Sequence, residues 1–117
     1  MSGKMKEIKA IVQPFMLEHV LDALVAIEGL PGVTVSQVLG WGRSRADGVA
    51  ASVREAGHAF APKSKVEVVV PAAMAEEVMD ALLRSARTGN RGDGKVFVLD
   101  VVDVARIRTG ETGDAAI

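Results

Sequence analysis

Residues 65–102, KVEVVVPAAMAEEVMDALLRSARTGNRGDGKVFVLDVV, decide the fold. Val66, Val68 and Val70 alternate with Lys65 and Glu67, the period-two pattern of a strand with one buried face. Pro71 stops that strand. Ala75, Val78, Met79, Leu82 and Ala86 then fall on one stripe at helical spacing. Arg84 and Arg87 sit at the end of this helix, where cations suit its dipole, and Gly89 supplies the stop. Lys95–Val102 is again a strand, with Val96, Phe97, Val98, Leu99, Val101 and Val102 leaving it apolar on both faces. A short further strand is expected over Ala105–Arg108.

The same order stands upstream. Ile8, Ala10 and Val12 alternate with Lys9, Ile11 and Gln13, which predicts a first strand over Lys6–Gln13. Pro14 suits the first turn of a helix because its missing N–H would have no partner there. Leu17, Val20, Leu21, Leu24 and Ile27 give the apolar stripe, with His19 on the polar side, and Gly29, Pro31 and Gly32 end the helix. Val33–Leu39 is a β-branched strand closed by Gly40 and Gly42. Neither helix opens on a Ser, Thr or Asp cap, so the sequence leaves their starts unmarked. The order is β-α-β-β-α-β, an α+β domain of ferredoxin-like type spanning 1–117, with an antiparallel sheet and two helices on one face. Two helices cover one face only. Ile11 and the last strand put apolar residues on the other, which predicts a second copy of the chain against it.

Composition sets the outer limits. The chain has 117 residues, 49% apolar and 25% charged, the profile of one globular domain. Its 14 Lys and Arg against 15 Asp and Glu give a net charge of −1, which argues against a generic nucleic-acid binder. It has no cysteine, which excludes disulfides and thiolate chemistry. Its aromatics are Phe15, Trp41, Phe60 and Phe97, with no tyrosine. The start, Met1 to Glu7, lacks the apolar stretch of a signal peptide, and apolar runs stay too short to span a membrane. A cytoplasmic protein without membrane insertion is the expectation.

Between the second and third strands lies a connection, residues 42–62, far longer than a hairpin needs. Loops of that length are commonly functional. Arg43, Arg45, Arg54, His58 and Phe60 give this one charge and an aromatic anchor for a partner surface.

Three segments suit phosphate. Thr88-Gly89-Asn90-Arg91-Gly92-Asp93-Gly94-Lys95-Val96 resembles a Walker A loop, but Val96 replaces the final Ser/Thr, and here a helix precedes and a strand follows, the reverse of a P-loop. Its glycines still let backbone N–H groups approach phosphate oxygens, and Lys95 adds a point charge. Gly40-Trp41-Gly42-Arg43 offers close backbone approach and a guanidinium. Arg106-Ile107-Arg108 puts two guanidinia on one side of an extended chain. Three such elements in a near-neutral domain favour a nucleotide over a nucleic acid. Glu55 and His58 do not make a metal site, no Ser/His/Asp arrangement is visible, and no carboxylate pair has catalytic spacing.

These segments also carry a resemblance. Ile11-Val12-Gln13-Pro14-Phe15, Gly40-Trp41-Gly42-Arg43, residues 63–71, residues 88–98, Arg106 to Glu111 and the tail Asp114 to Ile117 resemble the PII signal-transduction proteins over Lys6–Ile117. The resemblance implies a homotrimer that binds ATP or ADP, with Mg2+ as companion cation, in clefts between subunits. The nucleotide-binding residues would be Thr34, Gly40, Gly42, Arg43, Lys63, Gly92, Gly94, Lys95, Arg106 and Arg108. The 42–62 loop would then pass the signal to a target enzyme or membrane transporter. Ser44 stands where the family has a glutamine that helps hold Mg-ATP with 2-oxoglutarate, which weighs against 2-oxoglutarate sensing. Ala56 stands at the position of a tyrosine uridylylated in some members, and Arg54 at that of a modified serine. The rival readings are a small nucleotide-hydrolysing enzyme, against which the missing base and metal cluster count, and an RNA-binding module. Phe97 alone makes no base-stacking platform for the latter.

Overall fold

The computed structural model describes residues 4–41 and 60–117. Strand β1 runs Met5–Val12, helix α1 Leu17–Val25, β2 Thr34–Gly40, β3 Ala61–Pro71, helix α2 Ala75–Ala86 and β4 Gly94–Asp100. They form a four-stranded sheet of order β2-β3-β1-β4, with every neighbouring pair antiparallel. This is the ferredoxin-like arrangement that the element order predicts.

Each helix enters through a short 3-10 turn, Pro14–Met16 before α1 and Ala72–Met74 before α2. Neither has a side-chain cap. The Met16 N–H instead reaches the Gln13 carbonyl at 2.9 Å, so the proline turn sets the direction. Ile8, Ala10 and Val12 of β1 and Val66, Val68 and Val70 of β3 form the core with Val20 and Leu24 of α1 and Val78, Ala81 and Leu82 of α2. Burial of this set is the main force holding the fold.

The apolar β4 behaves as its sequence suggests. It is an edge strand, and Phe97, Val98 and Leu99 stay exposed on alternating faces. The strand ends at Asp100 rather than Val102; the Val101 N–H still reaches the carbonyl of Met5, the first residue of β1, at 3.2 Å, and the ladder stops there. Residues 105–108 are not a strand. Ala105 makes one isolated bridge to Thr112, and the Gly110 N–H turns back to the Arg106 carbonyl at 2.8 Å. The long connection is also shorter than expected at its far end, since Ala61 and Pro62 already pair with Gly40 and Leu39. Gly42, Arg43, Ser44, Arg45, Arg54, Glu55, Ala56 and His58 lie outside the described residues. Among those described, no helix is long and apolar enough to cross a membrane.

One buried position works against the core. Ser64 on β3 is fully buried, and its hydroxyl has no hydrogen-bond partner. An unpaired buried hydroxyl costs about 1–3 kcal/mol. Ser64→Ala is therefore expected to raise unfolding stability by roughly 1 kcal/mol, read as a higher urea midpoint at unchanged slope. A lower midpoint would mean that the hydroxyl is satisfied in solution.

Candidate functional site

The antiparallel register brings distant parts of the chain to one end of the sheet. β1 finishes there at Val12, β2 at Gly40, and β3 and β4 begin there at Ala61 and Gly94. Gln13, Lys63 and the 88–94 turn meet at this end. The Lys63 ammonium donates to the Gly92 carbonyl and to Gln13 Oε1, both at 3.2 Å. Gln13 Nε2 donates to the same Gly92 carbonyl at 2.8 Å. Lys63 therefore bridges the start of β3 and the glycine turn through neutral oxygens, leaving its charge uncompensated by them.

Three glycines meet steric demands here. Gly94 has φ +105°, and a Cβ on it would run into the Ile11 carbonyl oxygen. Gly92 has φ +90°, and a Cβ would lie 3.0 Å from Gln13 Nε2. At Gly40 a Cβ would press on Lys63 Cγ at 3.2 Å. Asp93 organises the turn between them. Its carboxylate accepts from the Thr88 hydroxyl and from the Thr88 and Gly89 N–H groups. These bonds, Thr88 first, together with the nearby Arg87 charge hold its carboxyl below the usual carboxylate range.

Of the residues singled out from sequence, Gly40, Lys63, Gly92, Gly94 and Lys95 come together at this end. Thr34 sits apart, at the start of edge strand β2 opposite Glu67, on the strand face shared by Lys63 and Lys65. Arg106 and Arg108 lie in the C-terminal turn. Arg106 pairs with Glu111 at 3.4 Å and donates to the Ile117 carbonyl at 3.5 Å. The extended, parallel pair of guanidinia expected from sequence is replaced by a reversed chain, because Gly110 at φ +75° folds it back. Gly42 and Arg43 are outside the described residues, as are Arg45, Arg54 and His58; Phe60, at their border, is exposed. Trp41, next to that border, has a buried indole N–H without a partner.

Gln13 and Asp93 were missed by the sequence reading. In the sequence Gln13 stands out only as one alternating strand position, and Asp93 only as one residue of the glycine-rich stretch 88–96. A groove of about 400 Å³ between α2 and β4 was not foreseen either; Leu82, Leu83 and Val96 wall it, with Arg84, Arg87 and Lys95 around them. Among the described residues, no group of His, Asp and Glu is placed to hold a metal.

On the helix-free face, Glu7 and Glu67 lie side by side across β1 and β3. The hydrogen bond to Glu67, followed by burial and mutual repulsion, raises the Glu7 carboxyl above its ordinary range, and Lys9 and Lys65 oppose the rise. Lys65 lies 3.9 Å from Glu67, and the Lys9 ammonium sits 5.6 Å from the Phe97 ring centre. Charged and apolar residues are thus mixed on this face.

The fold and this sheet end define a ferredoxin-like domain that gathers glycines and cations at the base of a long inter-strand connection. Comparison with known proteins gives it a family. The model of the nitrogen regulatory protein P-II family matches residues 5–111. Nitrogen regulatory protein P-II 1 of Escherichia coli strain K12 is 46% identical over 113 residues, covering 97% of this chain and all of that protein. Nitrogen regulatory protein P-II of Rhizobium meliloti is 47% identical over the same share. A crystal structure of Arabidopsis thaliana PII bound to citrate superposes with a TM-score of 0.79 at 40% identity, over 97% of this chain and 92% of that one. The chain belongs to the P-II family of signal-transduction regulators.

Proposed function

We propose that the chain is a homotrimeric, non-enzymatic sensor of ATP and ADP in the cytoplasm, controlling a partner enzyme or transporter through residues 42–62. One observation carries the reading: Gly40, Lys63, Gly92, Gly94 and Lys95 converge at the sheet end from which that connection leaves. The donor set suits a polyphosphate, with ammonium groups for charge and glycines that admit close backbone approach. Arg106 and Arg108 would complete the phosphate clamp, with Thr34 further along the sheet. Mg2+ would accompany ATP by binding its phosphates, since the described residues supply no cluster for it. The citrate in the Arabidopsis PII structure supports an affinity of this architecture for anions. Exposed Phe97, Val98 and Leu99 on the edge strand and Val35 and Leu39 on the opposite edge give further copies of the chain an apolar surface to cover.

The test is a calorimetric titration with ATP, ADP and AMP, each with and without 2-oxoglutarate. Trp41 is the sole tryptophan and no tyrosine is present, so its emission reports on the base of the connection alone. Lys95→Ala and Arg106→Ala are each expected to weaken ATP binding by about 1.5–3 kcal/mol, the range for hydrogen bonds to charged groups. Unchanged affinity in both would remove the site assignment, and no binding of any nucleotide at millimolar concentration would remove the function. Ser44 in place of glutamine sets the expectation for the 2-oxoglutarate arm, in which ATP affinity stays the same.

A further inference from the structure

Three donors converge on one side chain at the mouth of the glycine turn. The Thr88 and Gly89 N–H groups reach Asp93 Oδ2 at 2.8 and 2.9 Å, and the Thr88 hydroxyl donates to Oδ1. That hydroxyl in turn accepts from the Asn90 N–H at 3.1 Å. The carboxylate thus ties the first residues of the turn to its last one. Immediately beyond Asp93, Gly94 is fixed by its pairing with Val12, and Lys95 by its pairing with Ile11. On the other side, Lys63 and Gln13 hold the Gly92 carbonyl.

We propose that Asp93 is a positioning residue for anion binding, closing the 88–93 turn so that Gly92, Gly94 and Lys95 hold their binding geometry before the ligand arrives. The proposal rests on the nucleotide reading above and deepens it. A turn already closed has less freedom to lose on binding, so affinity rises without any contact between Asp93 and the ligand. The chemistry calls for a carboxylate. Both of its oxygens accept, whereas an asparagine would present an NH2 group either toward the backbone N–H pair, donor against donor, or toward the Thr88 hydroxyl, which would then have to give up its own donation to the side chain.

The experiment combines amide hydrogen exchange with calorimetric ATP titration on the full chain, comparing wild type, Asp93→Ala, Asp93→Asn and Thr88→Ser. Asp93→Ala is expected to speed exchange of the Thr88 and Gly89 amides, and to raise the ATP dissociation constant, by about tenfold or more. Asp93→Asn should fall between it and wild type, and it carries the test if the alanine variant does not fold. Thr88→Ser keeps both donors and should match wild type. Unchanged ATP affinity in Asp93→Ala and Asp93→Asn, or Thr88 and Gly89 amides as slow as in wild type, overturns the clamp while leaving the nucleotide reading intact. A wild-type chain that binds no ATP instead removes the nucleotide reading, and the clamp's role with it.

Discussion

Gly94→Ala is expected to be the most damaging single-methyl substitution in the domain, costing about 3 kcal/mol or more of stability and abolishing ATP binding. Two effects add. At φ +105° any side chain is strained, and the new Cβ would also overlap the Ile11 carbonyl oxygen and lie 2.8 Å from its carbon. The obstacle is backbone, so no rotamer change relieves it. β1 and β4 must separate where Val12 faces Gly94, and that movement carries Lys95 with it. Against a typical total of about 5–15 kcal/mol, such a loss moves the urea midpoint far enough to measure directly. The natural comparison is Gly110→Ala, also at positive φ (+75°) but with open space around its Cβ. It should cost only the backbone strain. Equal losses for the two would show that the contact with Ile11 is not the cause.

Ile8→Ala is expected to cost about 2–5 kcal/mol, the range for cutting a large buried aliphatic side chain back to a methyl. Ile8 is fully buried, stands opposite Val68 on one side and Val98 on the other, and faces the helices at the centre of the sheet. Three elements would have to shift together to close the cavity, which places the substitution toward the costly end of that range. Ile107→Ala provides the contrast: Ile107 is fully exposed in the C-terminal turn and should change stability by less than about 0.5 kcal/mol. Chemical denaturation of both variants checks the pair.

The fold was legible because its core depends on periodicity. Val66, Val68 and Val70 face the helices and Lys65 and Glu67 face away, which is what alternation encodes. The element ends were harder to read. β3 begins at Ala61 and Pro62, residues typical of loops, because Leu39 and Gly40 are there to pair with them. Glycine and lysine runs marked the site in part, since such residues have local signatures. Gln13 and Gly92 touch across 79 positions of sequence, and a hydrogen bond between an amide side chain and a remote carbonyl leaves no periodic trace. Asp93 did have a local signature in the preceding Thr88 and Gly89, but the glycines and Lys95 around it carry the phosphate signal and Asp93, an anion, does not. The extended course expected over Ala105–Arg108 fails for a related reason: spacing two apart implies a shared side only while the chain stays extended, and here it turns back, with the Gly110 N–H on the Arg106 carbonyl.

The pairing of Gly40 with Ala61 has a consequence for how this protein diversifies. Whatever residues 41–60 do, they leave and re-enter the sheet at the two ends of a single rung of the β2–β3 ladder. The entropy of closing such a loop grows only with the logarithm of its length, about 0.6 kcal/mol for each doubling. Lengthening, shortening or rewriting that stretch therefore barely taxes the stability of the domain. Mutational drift can try new recognition surfaces there at almost no risk to the fold, while the glycine turn and its lysines, anchored in the ladder itself, have no such freedom.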